Sequence, residues 1–350
     1  MKIFVTGGAG FIGSNFIRYV LGLDTGYSVV NFDKLTYAGN LENLDSVADN
    51  PNYSFVRSDI CDPAAVAAAM AGCQVVVHFA AESHVDRSIY EPAPVIETNV
   101  KGTFVLLQVA RQLNIQRFVH VSTDEVYGDM SPGAFADENA PLRPSSPYSA
   151  SKASSDLIVK SYVRTFDFPA VITRASNNYG PFQFPEKFLP LMITNALDDK
   201  SLPIYGDGKQ ERDWLHVLDH CSGILAALER GRIGEVYNIG GLDVVENLTM
   251  ARRLLRAVGK PESLLTYVKD RPGHDRRYAL NCNKIRRDLG WQPAVSLEEG
   301  LRQTVEWYGA NSSWLAGVRG GDYLSYYAKY YENRDASLHA IAESGRKSQA

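Results

Sequence analysis

The sequence predicts an α/β protein: a doubly wound, mostly parallel sheet with a second, smaller mixed α/β lobe. Two observations carry this. Short apolar runs recur with helical stretches between them, at 3–5, 29–32, 53–56, 75–79, 118–121 and 170–173, and such alternation builds parallel sheets. After about Asn177 the character changes, with Pro181, Pro185, Pro190 and Pro203 punctuating strand-like pieces at 202–205 and 236–239. The main domain is therefore placed at 1–176, with segments returning to it near 207–240. The lobe takes 177–206 and 241–331, and 334–350 reads as a flexible tail. A chain of 350 residues exceeds what one core usually sustains, which favours such a division.

Bulk properties narrow the function. With 36 basic and 40 acidic residues the net charge is −4, too mild for a nucleic-acid or membrane partner to be expected. No run approaches the ~18 apolar residues of a membrane helix, and no secretory leader is expected at the N-terminus. Cys61, Cys73, Cys221 and Cys282 form no CxxC or Cys/His spacing, so reduced thiols, a cytoplasmic location and no metal site are expected.

The first predicted strand runs into Gly7-Gly8-Ala9-Gly10-Phe11-Ile12-Gly13, and a helical pattern follows over 14–21. In that context GxGxxG is the fingerprint of a Rossmann, dinucleotide-binding domain. Gly8 and Gly10 let the backbone turn and approach a pyrophosphate, Gly13 lets the helix pack on the sheet, and the helix N-terminus supplies N–H donors. Asp33 ends the second strand 20 positions after Gly13. A carboxylate there accepts from a ribose 2′-OH and repels a 2′-phosphate, so NAD is expected over NADP, a contrast that Lys34 weakens. Asp59 and Ile60 follow the third strand, where they could flank an adenine. Phe79, Ala80, Ala81 and Ser83 stand at the end of the fourth, on the carboxyl edge where open sheets bind ligands. Each feature also has a plain structural reading, such as a glycine turn without ligand or a turn-starting aspartate. His84, Asp86 and Arg87 read as helix-start and ion-pair residues.

The chemistry points to the segment Val121-Ser-Thr-Asp-Glu-Val-Tyr-Gly128 and to Tyr148-Ser-Ala-Ser-Lys152. Tyr148 and Lys152 are one helical turn apart on one face, with Ser146 suited to the cap and Pro147 to the first turn. A neighbouring ammonium favours phenolate, which would make Tyr148 a base. Asp124 and Glu125 are more than an alcohol oxidation needs; elimination of water uses one acid and one base. Asp124 would need a raised pKa, which a dry site and the Glu125 charge would provide. Adjacent strand residues face opposite ways, so both carboxylates reach one substrate only if the strand stops near Thr123. A solvated acidic turn is the plain alternative.

Taken together, TGGAGFIG, STDEVYG and YSASK resemble the extended short-chain dehydrogenase/reductase superfamily that works on nucleotide sugars. Within it, the dTDP-glucose 4,6-dehydratase family is similar over residues 1 to about 331. The resemblance extends to Asp33-Lys-Leu-Thr-Tyr-Ala-Gly-Asn40, Asn177-Asn-Tyr-Gly-Pro181, Pro185-Glu-Lys187, Arg212-Asp-Trp214 and Arg271-Pro-Gly-His-Asp-Arg-Arg-Tyr278. It implies a tightly bound NAD regenerated in each turnover. The cofactor would be held by Gly7, Gly10, Phe11, Ile12 and Gly13, by Asp33, Lys34, Leu35, Thr36, Asp59 and Ile60, and by Phe79, Ala80, Ala81, Ser83 and Thr98. Tyr148, Lys152 and Asn178 would complete that set.

The resemblance also implies chemical roles. Tyr148, assisted by Thr123 and Lys152, would take the C4 hydroxyl proton as hydride passes to NAD⁺. Glu125 would then take the C5 proton and Asp124 would protonate the departing C6 hydroxyl. Hydride would return to C6, leaving a 4-keto-6-deoxy sugar. For the substrate, the resemblance implies Asn177 at the sugar diphosphate, Lys187, Phe188, Pro203, Ile204 and Tyr205 holding the nucleotide, and Ser83 and Thr123 among the substrate contacts. Arg212 would meet a phosphate, Asn247 a further phosphate or ribose group, and Asp270, Arg271 and His274 would line the nucleotide. The stretch 241–247 is less polar than the family pattern, which loosens the Asn247 assignment. A homodimer paired through the helix of Tyr148 is implied, although Leu157, Ile158, Ser161 and Tyr162 fit packing on the sheet equally.

Other readings remain. A UDP-glucose dehydratase is one, since sequence pattern reads poorly the methyl that distinguishes thymine from uracil. A 4-epimerase needs no Asp-Glu pair, and a nucleotide-sensing protein without catalysis would not need Tyr148 and Lys152.

Overall fold

The computed structural model describes residues 1–320; the tail expected at 334–350 lies outside the described residues. The apolar runs form β1 (Lys2–Thr6), β2 (Ser28–Asp33), β3 (Tyr53–Arg57), β4 (Val75–His78), β5 (Arg117–Thr123) and β6 (Ala170–Ala175). They are followed by β7 (Asn177–Tyr179), β8 (Leu202–Tyr205), β9 (Glu211–His216) and β10 (Val236–Ile239). The large sheet has the order β10-β6-β5-β4-β1-β2-β3, and all its pairs are parallel. The order reverses between β1 and β4, so the crevice beyond their carboxyl ends is where such a sheet takes a ligand.

Two helical layers cover the sheet. One holds α1 (Phe11–Leu21), and the other holds α2 (Pro63–Met70), preceding the short α3 (Val85–Tyr90) and α4 (Pro92–Ile96), then α5 (Thr103–Gln112) and α6 (Pro147–Phe166). Strand residues alternate between the layers as the pleat requires. Ile3 and Val5 pack with Phe16 and Ile17 of α1, whereas Phe4 packs with Val66, Leu106 and Val159 on the other side. After α7 (Phe188–Leu197), α8 (Val217–Arg230) joins the layer of α1 through Cys221, Ile224 and Leu228.

A second core forms around β9. With β11 (Val244–Glu246), β7 and β9 make a three-stranded sheet in the order β11-β9-β7, and β12 (Leu265–Val268) pairs with β8. Against them pack α9 (Asn247–Val258), α11 (Leu297–Ala310) and α12 (Ser312–Val318), while α10 (Asn283–Leu289) lies on the first core. Trp214, Leu189, Met250, Leu254 and Tyr308 fill this second core. The strand runs at 202–205 and 236–239 appear with those bounds, but β7, β9, β11 and β12 carried no strong sequence signal. Three of the four are only three or four residues long, and β9 carries Glu211, Arg212 and Asp213. No helix among the described residues is long and apolar enough to cross a membrane.

Candidate active site

A cavity of ≈ 350 Å³ follows the carboxyl edge of the large sheet, from the glycine turn past β4 to β5, β6 and the start of α7. Gly7, Gly10, Phe11, Ile12, Gly13, Asp33, Lys34 and Thr36 line one end, with Asp59, Ile60, Phe79, Ala80, Ala81, Ser83 and Thr98. Thr123, Asp124, Glu125, Tyr148, Lys152, Asn177, Asn178, Lys187 and Phe188 line the other.

At the first end, backbone makes the wall. Gly7 has φ +70 and donates its N–H to Phe32 O at 3.0 Å. A Cβ on Gly13 would sit 2.2 Å from Gly7 O, so only glycine lets α1 start so close to the turn. Gly10 caps α1 with no side chain over the helix end, which leaves the positive pole of the helix open to an anion. Asp33 accepts from Ala9 N at 2.9 Å and Leu35 N at 2.8 Å. Burial raises its pKa and those two N–H groups counter it. Leu35 is not on the cavity wall; with φ +57 it acts through the N–H that orients Asp33. Lys34 is tied to Asp59 at 2.6 Å, which blunts the charge that weakened the NAD reading. A glycine cradle that a Cβ would fill, an uncapped helix start and a braced carboxylate fit NAD.

At the other end, ionisable side chains make the wall. β5 stops at Thr123 and Asp124–Tyr127 turns as a 3₁₀ helix, which Thr123 caps by accepting from Glu125 N at 3.3 Å. That turn removes the strand alternation, so Asp124 and Glu125 both reach the cavity. Thr123 donates to Asp124 Oδ1 at 3.1 Å, while Asp124 Oδ2 is buried without a partner. Burial, then the charges of Glu125 and Asp213, push Asp124 well above the usual carboxylate range. Burial also raises Glu125, against which the cations Arg271, Lys187 and Arg212 pull.

The helix of Tyr148 begins as its sequence dictates. Ser146 Oγ accepts from Ser149 N at 3.1 Å, Ser149 Oγ accepts from Ser146 N at 3.0 Å, and Pro147 opens the first turn. Lys152 donates to Val121 O at 2.8 Å, which locks α6 to β5. Burial pushes the Lys152 ammonium down to about 8, with Asp156 opposing. Tyr148 departs from expectation: burial and the carboxylates Glu125 and Asp124 push its phenol up, with only the Thr123 hydroxyl pulling it down. Asp156, further along α6, pushes the phenol in the same direction.

The lobe residues fall into two groups. Lys187 donates to Ser83 O at 2.6 Å, Asn178 Oδ1 meets His220 Nδ1 at 2.9 Å, and Asn177 Oδ1 is buried without a partner. The second group lies off that wall. Arg271 pairs with Asp86 at 2.6 Å, Asp270 with His274 at 2.6 Å, and the Tyr205 ring meets His274 edge-on at 6.2 Å. The Arg212 guanidinium lies 4.3 Å from the Tyr278 ring centroid and donates to the carbonyls of Glu211, Asp275 and Arg276. Asn247 opens α9, its N–H given to Gln210 O. Pro203 is half-buried on β8. Ile204 departs from expectation, since its side chain is fully buried in the second core and only its backbone faces elsewhere.

Sequence reading missed Glu82, Gln183, Glu186 and His220 on the wall. Glu186 is buried against Arg87 at 3.1 Å, and Arg87 lies 3.7 Å over the Tyr37 ring. Its place between Pro185 and Lys187 was the available signal. His220 had none, as its partner Asn178 is distant in sequence.

A parallel sheet with this glycine turn and a Tyr148/Lys152 pair at the end of its crevice defines an extended short-chain dehydrogenase/reductase. Residues 4–304 match the family described as GDP-mannose 4,6 dehydratase. The dTDP-glucose 4,6-dehydratase of Shigella flexneri is 51% identical, covering 95% of this chain and 100% of its own. A dTDP-glucose 4,6-dehydratase from Streptomyces venezuelae, solved with NAD bound, superposes with a TM-score of 0.89 at 48% identity, over 91% of this chain and 100% of that one. A UDP-glucose 4-epimerase from Thermotoga maritima gives 0.83 at 32% identity, over 89% and 100%. The chain belongs to the nucleotide-sugar 4,6-dehydratase family, in its dTDP-glucose branch.

Proposed function

We propose that the chain converts dTDP-glucose to dTDP-4-keto-6-deoxyglucose and water, with NAD as a resident cofactor. The observation that carries this is the 3₁₀ turn after β5, which puts Asp124 and Glu125 on the same wall as Tyr148 and Lys152. An epimerase has no use for that acid and base.

Bound NAD⁺ supplies the acceptor for the C4 hydride and, once reduced, the donor to C6. Tyr148 takes the C4 hydroxyl proton. Burial and the neighbouring carboxylates raise its pKa within the chain, so the phenolate needs further positive charge beside it, which bound NAD⁺ would supply. Thr123 holds the hydroxyl in line. The ketone acidifies C5–H; Glu125, whose burial-raised pKa is opposed by Arg271, Lys187 and Arg212, removes that proton. Asp124, held protonated by burial and the Glu125 charge, gives its proton to the leaving C6 hydroxyl. Glu125, its proton exchanged with solvent, then protonates C5.

Lys187, Asn177 and Arg212 are assigned to the diphosphate, Phe188, Pro203 and Tyr205 to the nucleotide, and Asn247, Asp270, Arg271 and His274 to its ribose and base edge. A homodimer through α6 fits the surface. Leu157 is 57% exposed there, with Ile96 and Phe104 also exposed, whereas Ile158 and Tyr162 pack inward. The four free cysteines suit a cytoplasmic location.

Incubation with dTDP-glucose and, in parallel, UDP-glucose, without added NAD⁺, followed by mass spectrometry, tests the proposal. Loss of one water from dTDP-glucose is expected. An unchanged mass with inversion at C4 would favour the epimerase.

A further inference from the structure

Behind Lys152, on the side away from the cavity, lies a buried charged cluster that the chemistry above does not use. Asp156 is one helical turn further along α6 and fully buried. Arg174 of β6 donates through Nε to Asp156 Oδ2 at 2.8 Å, and His120 of β5 approaches Asp156 Oδ1 at 3.4 Å. Arg174 is fixed in turn by Tyr127, whose hydroxyl it reaches at 2.9 Å, and Tyr127 donates to Asn238 at 2.8 Å. A buried ion pair rarely adds net stability compared with apolar residues of the same volume, so this one invites a functional reading. We infer that Asp156 is a positioning residue, whose buried charge keeps Lys152 cationic where α6 crosses β5.

The surroundings support this. Lys152 loses its water to burial, and Asp156 is the counter-charge that raises its pKa, leaving it at about 8. The other titratable and charged groups around it are Tyr148 on α6, His78 on β4, His120 on β5 and Arg174 on β6. Burial lowers the pKa of both histidines, His120 to about 4, so both are neutral at physiological pH. Burial favours a neutral Asp156, but His120, Arg174 and Lys152 hold its pKa down at about 2, so its charge persists across the working range. Arg174 competes with Lys152 for that charge while anchoring its carrier. The inference rests on the role given to Lys152 in the proposed reaction.

Two measurements on the full-length holoenzyme test it. Cofactor reduction on rapid mixing with dTDP-glucose isolates the C4 step, and its loss at alkaline pH reports deprotonation of Lys152. Competitive acetylation, read on the Lys152 peptide by mass spectrometry, gives the pKa of that amine without turnover. Asp156→Asn should lower both values by about one pH unit. Asp156→Glu should restore them. Arg174→Gln leaves Asp156 with His120 and Lys152 and should move both values upward; it also keeps the test open if Asp156→Asn fails to fold. A purely structural pair predicts no shift, or shifts of the same sign from Asp156→Asn and Arg174→Gln, and either result overturns the inference. Lys152→Arg, which does not titrate in this range, should abolish the alkaline loss of the C4 step. If it keeps that loss, the role of Lys152 itself is wrong, a failure distinct from that of Asp156.

Discussion

Around the glycine turn the cavity wall is made of backbone, and a single methyl at Gly13 would collide with Gly7 O at 2.2 Å. Around β5 the wall is made of Asp124, Glu125, Tyr148 and Lys152, whose pKa values are all displaced by burial. The first end is set by shape and stabilised by the fold it belongs to. The second holds ionisable groups that folding alone would rather leave in water. Damage to the two ends should therefore show up in different measurements.

The largest effects are expected at the ionisable end. Tyr148→Phe should reduce turnover by about 10³-fold or more and suppress cofactor reduction on rapid mixing, with thermal stability kept. Normal turnover would remove the base assignment. Glu125→Gln should slow turnover by about 10²–10³-fold, yet cofactor reduction should still occur and the reduced form should accumulate. Wild-type turnover in this variant would sink the C5 assignment.

The glycine end should behave in the opposite way. Gly13→Ala is expected to cost about 1–3 kcal/mol of stability through overpacking and to release cofactor, seen as a lower Tm and lower NAD content per subunit. Retention of both would mean that the turn yields enough to admit a methyl 2.2 Å from Gly7 O. Arg212→Ala should raise KM by roughly tenfold with kcat less affected, because a lost charged hydrogen bond is worth about 1.5–3 kcal/mol. An unchanged KM takes Arg212 out of the diphosphate site.

The smallest effect sharpens the contrast through pH. Asp213 is buried beside Asp124, and burial raises its pKa from 3.8 to about 6. A raised carboxyl stabilises the fold below its unfolded pKa, and this contribution is lost as pH rises through the folded value. Wild-type stability should therefore fall by on the order of 2 kcal/mol across that window, and Asp213→Asn should flatten the slope. An equal slope in both proteins would show that Asp213 stays ionised.

How much of this the sequence revealed follows the same division. The glycine turn, Asp33, and the Ser146-Pro147 start of α6 were legible because each is a local pattern with a local cause. The strand end at Thr123 was legible as a requirement, since two adjacent carboxylates can share a face only where pleating stops. What escaped depends on long-range packing. Which charges surround Tyr148 is decided by α6 and the turn after β5 meeting in the cavity. Ile204 was implied by the resemblance along with Pro203 and Tyr205, but strand alternation turns its side chain into the core. His220 and Glu186 reach the wall from α8 and from the loop before α7, which no window of sequence brings near Asn178 or Arg87.

In the proposed reaction one cavity both oxidises and dehydrates the same sugar, with the C4 hydrogen kept inside. The most direct test is turnover of dTDP-glucose carrying deuterium at C4, with the product examined by mass spectrometry and NMR. Loss of one water and deuterium at C6 of the same molecule are expected, with a solvent-derived deuteron at C5 when the reaction is run in heavy water. Deuterium still at C4, or lost to solvent, would contradict it.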